Sequence, residues 1–387
     1  MSIDAVQSQS PPPPRTCLFC DQPAASLEHI IPQSLGGRLA RRIVCLRHNG
    51  CLNVACDEPL VNQFQYFVHA LRVVTERRDP GIAVIGATAS GKTFVVDSDH
   101  KPRLPRTQVL ERDAKGLPTK VIAPDEESAR KLIASMGLDP DTVPLEVRTE
   151  RPEALNFPIK LGGAEGFRGV LKIAYEYVRA YLGATVSDSN GETSIHNALL
   201  HGGDPAAFVR WLPYELADSV PRAEFFSHRV LAAPADGETL VVIEFFNVAP
   251  FIVRLPGILV DGAHMLFQGL SGELPVEPRI DGRLPFGWAS VQEHAQPQMF
   301  PGFQERIGTI ISAMQTSDAL CTTVEAFAVA AGRDPSSSDD DILDATLNEI
   351  ERVFSTPLQD NQRQTLREFA SALLPLLRSG AFSPRKA

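Results

Sequence analysis

The chain has 387 residues, 43% of them hydrophobic and 22% charged, with a formal net charge of -10. That length can bury two or three cores, and the acidic balance excludes a surface given over wholly to nucleic acid. No apolar run is long enough to span a membrane and no signal peptide opens the chain, so a soluble, cytoplasmic protein with no membrane partner is expected.

The opening "MSIDAVQSQSPPPPR" is too rich in Pro, Ser and Gln to build a core, and residues 1–15 are expected to be a disordered tail. Residues 16–78 follow as a Cys/His-rich unit with a helix of roughly 60–77, where Phe64, Phe67, Val68, Leu71 and Val74 keep helical spacing. His69 lies beside that apolar face and reads as a satisfied or solvent-facing side chain. Residues 79–145 alternate short β-rich runs with Gly, Pro and Asp and end in the helix "DEESARKLIASMG", a small α+β module. Residues 146–303 start Pro-rich (Pro152, Pro158) and continue into "EGFRGVLKIAYEYVRAYLG". There Phe167, Val170, Leu171, Ala174, Val178 and Tyr181 make a core-facing stripe stopped by Gly183. Between 228 and 267 two or three strands, with another suggested by "ILVDGAHMLFQ", read as an antiparallel sheet. A Gly- and Pro-rich loop covers 269–303. Residues 304–387 close the chain with helices at about 304–331, 340–355 and 358–378, the second capped by "PSSSDDD". The fold class expected is α+β.

"GATASGKT", Gly86 to Thr93, fits the phosphate-loop pattern, and an apolar run ending at Glu244 could offer a partner acid. That loop works only if a helix follows it and turns its N–H groups on the phosphates. Here "FVVDSDHKPRLP" follows, β-branched, acidic and broken by Pro102 and Pro105, so a hairpin with a Gly-rich turn is expected and ATP binding through Lys92 is the lesser reading.

Cysteine usage is lopsided: Cys17, Cys20, Cys45, Cys51 and Cys56 share one short window, and Cys321 stands alone. Clustering of this kind points to metal rather than to disulfides. Cys17-x-x-Cys20 and Cys45-x-x-His48 are two knuckles that can supply four ligands to a tetrahedral structural Zn2+. Cys51 and Cys56 remain alternatives to His48 as the fourth. Metal binding, worth about 10–16 kcal/mol in small finger peptides, would make up for the small core of such a segment.

Between the knuckles stands "EHIIPQSLGG", and the second knuckle reads "CLRHN". Together they resemble the HNH endonucleases of the ββα-metal (His-Me finger) superfamily, in the subset clamped by zinc knuckles; the resemblance spans residues 17 to about 60 and nothing beyond. It implies a ββα finger in which His29 is the general base and Glu28 and Asn49 hold a catalytic Mg2+ or Mn2+. DNA, or another nucleic acid, is the implied partner, cut at a phosphodiester to leave a 5′-phosphate. The residue types suit that chemistry. An imidazole can deprotonate water near neutral pH, and hard oxygen ligands favour Mg2+ or Mn2+ over zinc. Ala40 stands where the family has an asparagine that braces the loop, and Asp57 stands where relatives often carry an acid. Arg38, Arg41, Arg42 and Arg47 form a local basic cluster suited to phosphates; a solvated loop explains it equally well. Fingers of this kind serve restriction, phage defence or mobile elements, with the acidic remainder as a recognition, sensing or homo-oligomerisation platform. The rival reading is a non-catalytic zinc module that binds nucleic acid or protein.

Overall fold

The computed structural model describes residues 16–71, most of 84–143, 159–221, 227–268, 283–291, 302–308 and 338–354, with isolated positions between them. The tail 1–15, most of the 144–158 and 269–303 segments, Cys321 and most of the helices expected at 304–331 and 358–378 lie outside the described residues. The architecture is mixed α+β. Residues through Arg306 form one compact unit and Ile307–Ala387 a second.

The first unit begins with β1 (Ser26–His29) and β2 (Ala40–Val44), an antiparallel pair with Leu27 opposite Arg42, Glu28 opposite Arg41 and His29 opposite Ala40. The turn between them needs both glycines of "SLGG". Gly36 is left-handed at φ 93, and a Cβ on Gly37 would lie 1.9 Å from the Ile31 carbonyl oxygen. Helix α1 (Leu46–Leu52) then passes through a π turn (Asn53–Asp57) into α2 (Glu58–Ala70), all residues at the joints being helical. The helix therefore starts well before residue 60 and its described part stops at Ala70, ahead of the β-branched pair Val73-Val74. Leu60, Phe64, Phe67 and Val68 are buried along its inner face, as the spacing requires, and His69 is buried beside them.

Strands β3 (Val84–Ala87), β4 (Thr93–Val96) and β5 (Pro102–Arg103) form a three-stranded antiparallel sheet. The phosphate-loop look-alike is its first turn: Thr88 N–H donates to the Lys92 carbonyl at 2.9 Å, and Gly91 takes φ 82. The Lys92 ammonium sits 5.4 Å from the centre of the Phe94 ring. No helix begins at this turn among the described residues, so the hairpin expectation holds. β6 (Gln108–Arg112) and β7 (Pro118–Ile122) make a second hairpin, followed by α3 (Glu126–Ser135). Asp125 caps α3 by accepting from Ser128 N–H at 2.7 Å, and Gly137 ends it at φ 74.

Helix α4 (Gly163–Glu176) continues as a π turn (Tyr177–Tyr181) and stops at Gly183. From Gly169 to Val178 only buried residues follow one another, so the helix is covered all round rather than on one stripe. Gly169 permits this: a Cβ there would meet the Cys56 carbonyl oxygen at 2.7 Å. β8 (Thr185–Val186) leads to α5 (Ser189–Leu200), then β9 (Val209–Trp211) and the short α6 (Tyr214–Asp218). The central sheet adds β10 (His228–Ala235), β11 (Glu238–Phe245) and β12 (Ala249–Pro256). After β13 (Ile258–Leu259), which pairs with β8, come β14 (Ala263–Gln268) and β15 (Arg279–Ile280). The order is β15-β14-β10-β11-β12-β9, antiparallel throughout.

Both faces of this sheet are covered. Leu231, Leu240, Val242, Ile252 and Met265 pack with Leu212, Ala217 and Val220 on one side. On the other, α4 and α5 lie over β11 and β12, and Phe251 stacks on Trp211 with ring centres 4.1 Å apart. The β11–β12 turn places Phe246 and Asn247 at φ 56 and 57 with Val248 N–H donating to Phe245. A left-handed phenylalanine is costly, and its fully buried ring among Phe64, Phe67 and His228 offsets that cost. In the second unit, Ser338 caps α7 (Asp339–Phe354) by accepting from Asp341 N–H, and Arg367 pairs with Asp340 and Asp344.

His228 ties the sheet to the turn after β1. Its Nε2 meets the Leu35 carbonyl oxygen at 2.7 Å, while Nδ1 has no hydrogen-bond partner among the described residues. Complete burial pushes its pKa down to about 4. The unfolded chain takes up this proton near pH 6.5 and the folded one only near 4, so folding loses stability as pH falls across that window. Up to about 3 kcal/mol is at stake. Denaturant titrations between pH 7 and 4 are expected to show this loss in the wild type and a flatter acid limb in His228→Gln.

Candidate functional site

Two knuckles bring four ligand atoms together. In the first, Leu18 N–H donates to the Ile43 carbonyl and Phe19 N–H points at the Cys17 sulfur, which anchors the Cys17–Cys20 turn to β2. In the second, Cys45 caps α1 and its sulfur accepts from His48 N–H at 3.5 Å. The His48 Nδ1 lies 3.4 Å from each of Cys17, Cys20 and Cys45 Sγ, and Cys20 and Cys45 sulfurs are 3.9 Å apart. A tetrahedral ion with bonds of about 2.3 Å to sulfur and 2.0–2.1 Å to nitrogen has edges of roughly 3.5–3.8 Å, and the cluster matches that shape. The four ligand atoms all fall within 4.8 Å of one another, and no other such group of His, Cys, Asp or Glu occurs among the described residues. Of the alternatives for the fourth position, His48 joins the cluster, whereas Cys51 is exposed and Cys56 is buried in the π turn, where burial raises its thiol pKa. Hydrogen bonding from the His48 backbone holds the Cys45 thiol below its usual range, whereas burial pushes the Cys17 thiol up.

The hairpin has two faces because successive strand residues point oppositely. Leu27 and Arg42 share the outward face, Leu27 being 53% exposed. His29 and Ala40 lie on that face too, and His29 is half-buried. Asn49 on α1 reaches the same strand: its amide donates to Ser26 Oγ and to the Leu27 carbonyl. Asn49 thus braces β1 two residues from His29, directly across from which sits Ala40.

Glu28 and Arg41 point inward. The Arg41 guanidinium donates to the Ala180 carbonyl at 3.2 Å and stacks over Tyr181 at 4.4 Å, stitching β2 to the π turn of α4. Glu28 meets the ammonium of Lys172, which is wholly buried on α4. The same Nζ lies 2.9 Å from both carboxylate oxygens of Asp57, 3.4 Å from the His29 carbonyl oxygen and 3.5 Å from Glu176 Oε2. Burial alone would lower the Lys172 pKa, but Asp57, Glu176 and Glu28 outweigh it and hold the ammonium charged. Burial raises the pKa of Glu28, and burial with the crowding of three carboxyls raises that of Glu176 well above the ordinary range. Lys172 and Glu176 went unsuspected in the sequence; the one available signal was a lysine and a glutamate four apart in an otherwise apolar helix.

The expected catalytic set is therefore only partly assembled. His29 and Asn49 are brought to one strand, whereas the Glu28 carboxylate is committed to Lys172. As arranged, these residues do not fit a divalent cation held by Glu28 and Asn49. Of the arginines, Arg42 stands on the His29 face with a bond to the Ala25 carbonyl, and Arg47 is exposed. Arg38 is half-buried, and its backbone N–H donates to Gln268 Oε1. Behind the Cys/His cluster, Phe19 lies between the His48 ring and a polar chain in which the Tyr175 hydroxyl contacts Glu192 and His196, and Arg179 pairs with Glu192.

Comparison of the chain with protein-family models, with curated proteins and with solved structures gives no match.

Elemental analysis of the purified chain is expected to find about one transition-metal ion per molecule, bound through the four-ligand geometry above. Cys17→Ser should lose that ion and lower the Tm, while Cys51→Ser should keep both unchanged. Retention of the ion in Cys17→Ser would contradict the ligand set.

Proposed function

We propose that the chain is a ββα nuclease of the HNH kind that hydrolyses phosphodiester bonds in DNA, with Zn2+ as its structural ion and His29 as its general base. The observation that carries this reading is the hairpin itself: a metal-knuckled β1–β2–α1 unit with His29 on the outward face and Asn49 tied to the same strand. Three sulfurs and one imidazole form a donor set that suits zinc and leaves no position open, as in a structural site. The thiol-rich centre suits a reducing compartment, and the cytoplasm is the proposed location.

In the reaction, an unprotonated ring nitrogen of His29 takes the proton of the attacking water. Arg42, on the His29 face, and the exposed Arg47 meet phosphate oxygens and hold the strand. Arg41 has no such role, because its guanidinium is engaged by Ala180 and Tyr181.

One observation favours a second reading, a non-catalytic nucleic-acid- or protein-binding module: the acid expected to hold the catalytic metal is buried against Lys172. Supercoiled plasmid incubated with the protein in Mg2+ or Mn2+ separates the two. The nuclease reading predicts nicking that His29→Ala lowers by about 100-fold or more, with metal content and fold intact. Equal cleavage by His29→Ala would remove the assigned base. A plasmid bound but never cut would favour the binding module.

A further inference from the structure

We propose that Leu27 and Leu46 form an apolar wedge beside His29, and that the DNA taken by this face is duplex with a locally unstacked step, such as a single-base bulge, in preference to regular duplex. The inference rests on the nuclease reading for its partner and goes beyond it in naming the substrate class.

The wedge is built from two elements. Leu27 stands on the outward face of β1 and is 53% exposed. Leu46 opens α1 with 75% exposure, the highest of any large apolar side chain among the described residues. A single exposed leucine needs no explanation. These two lie together. Asn49 follows Leu46 by one helical turn on the same side of α1, and its amide donates to the Leu27 carbonyl. That bond sets the Leu46 side of the helix against the strand that carries Leu27. Both positions are held: Leu46 lies between Cys45 and His48, whose N–H points at the Cys45 sulfur, and Leu27 precedes the Glu28 secured by Lys172. A rigid apolar tip of this kind keeps its shape when pressed into a stack of bases.

The charge around the leucines matches nucleic acid. Arg42 shares the Leu27 face and Arg47 follows Leu46, and both arginines are exposed. Leucines that enter the base stack, flanked by arginines on phosphates, are a means by which proteins kink duplex DNA. Leu27 precedes His29 by two residues, about 7 Å along the strand or roughly two base steps. A base displaced by the wedge therefore lies close to the phosphodiester on which His29 acts.

Selectivity follows from how little else on this face holds DNA. Forcing apart a stacked step of regular duplex has to be offset by contacts elsewhere along the strand. Arg42 and Arg47 supply few, Arg41 is engaged by Ala180 and Tyr181, and the whole chain carries a net charge of -10. A step that a bulge has already opened removes most of the unstacking cost. Such DNA gains the leucine contacts, and regular duplex does not.

Fluorescence anisotropy of the full chain with labelled short duplexes, Mg2+ and Mn2+ withheld, tests this. Duplex with a single-base bulge is expected to bind at least about tenfold more tightly than the same duplex without it, and 2-aminopurine beside the bulge should brighten on binding. Leu46→Ser should lose part of that preference. Leu27→Ser with Leu46→Ser should lose all of it and the fluorescence change, with Tm and metal content intact because both side chains are exposed. Arg42→Ala or Arg47→Ala should weaken both duplexes alike. Equal binding of the two duplexes by wild type would overturn the wedge. So would a preference that survives in the double serine variant, as expected if the leucines serve a protein partner instead. Binding of neither duplex would overturn it together with the choice of DNA. Plasmid nicking that depends on His29, with the preference unchanged by the serines, would reject the wedge alone; bulge preference without nicking would support the wedge and reject cleavage alone.

Discussion

The ammonium of Lys172 is the contact on which the arrangement of the finger depends. A wholly buried charge is tolerated only when paired and hydrogen-bonded, and the partners of this one come from β1, the first π turn and α4 itself. Satisfying Lys172 therefore clamps the hairpin and the start of α2 onto α4, which in turn lies on the central sheet. It also decides which face of β1 looks inward. With Glu28 on Lys172, His29 must point the other way, and a one-residue slip would exchange them. Removing one partner of such a pair typically costs about 3–5 kcal/mol, enough to make the register of β1 effectively unique.

Two centres of different chemistry hold the finger at two places. Cys17, Cys20, Cys45 and His48 converge at its base as a group that could hold a metal ion, and Lys172 with its carboxyls secures the strand. A segment of this size has too little interior to fold by burial alone. Its remaining apolar side chains are completed by the rest of the unit, through Phe64 against Phe245 and Phe246 and through His228 on the Leu35 carbonyl. The finger is built into the α+β unit, with Leu27, His29 and Arg42 on the outward face of its hairpin.

What was legible in the sequence was local. The x-x spacing of Cys17/Cys20 and Cys45/His48 announced a Cys/His cluster that could hold a metal, Asp125 and Gly137 marked the ends of α3, and the breakers after Thr93 argued for the hairpin that is found. Two or three strands of the central sheet, with one more suggested, were legible as apolar runs between turns, and β10, β11, β12 and β14 occupy those segments. What escaped was long-range or sterically subtle. Glu28 and Lys172 lie far apart in sequence, and nothing near Glu28 says that its partner is an ammonium instead of a metal. Reading α4 as a one-sided stripe hid Lys172 and Glu176, because periodicity does not reveal that a helix will be covered all round. The π turns leave no compositional trace, so the merging of α1 into α2 was missed. Arg41 and Arg42 look identical in sequence, and only the strand register separates a structural arginine from an available one.

The central claim, that an internal ammonium holds the carboxylates around Glu28, is tested most directly by anomalous X-ray diffraction. Wild-type crystals of the full chain would be soaked in Mn2+ and measured at the manganese and zinc edges. The account predicts a zinc signal among Cys17, Cys20, Cys45 and His48, no manganese signal at Glu28, and the Lys172 nitrogen in contact with Glu28 and Asp57. A manganese ion bound by Glu28 and Asp57, with Lys172 turned aside, would contradict it.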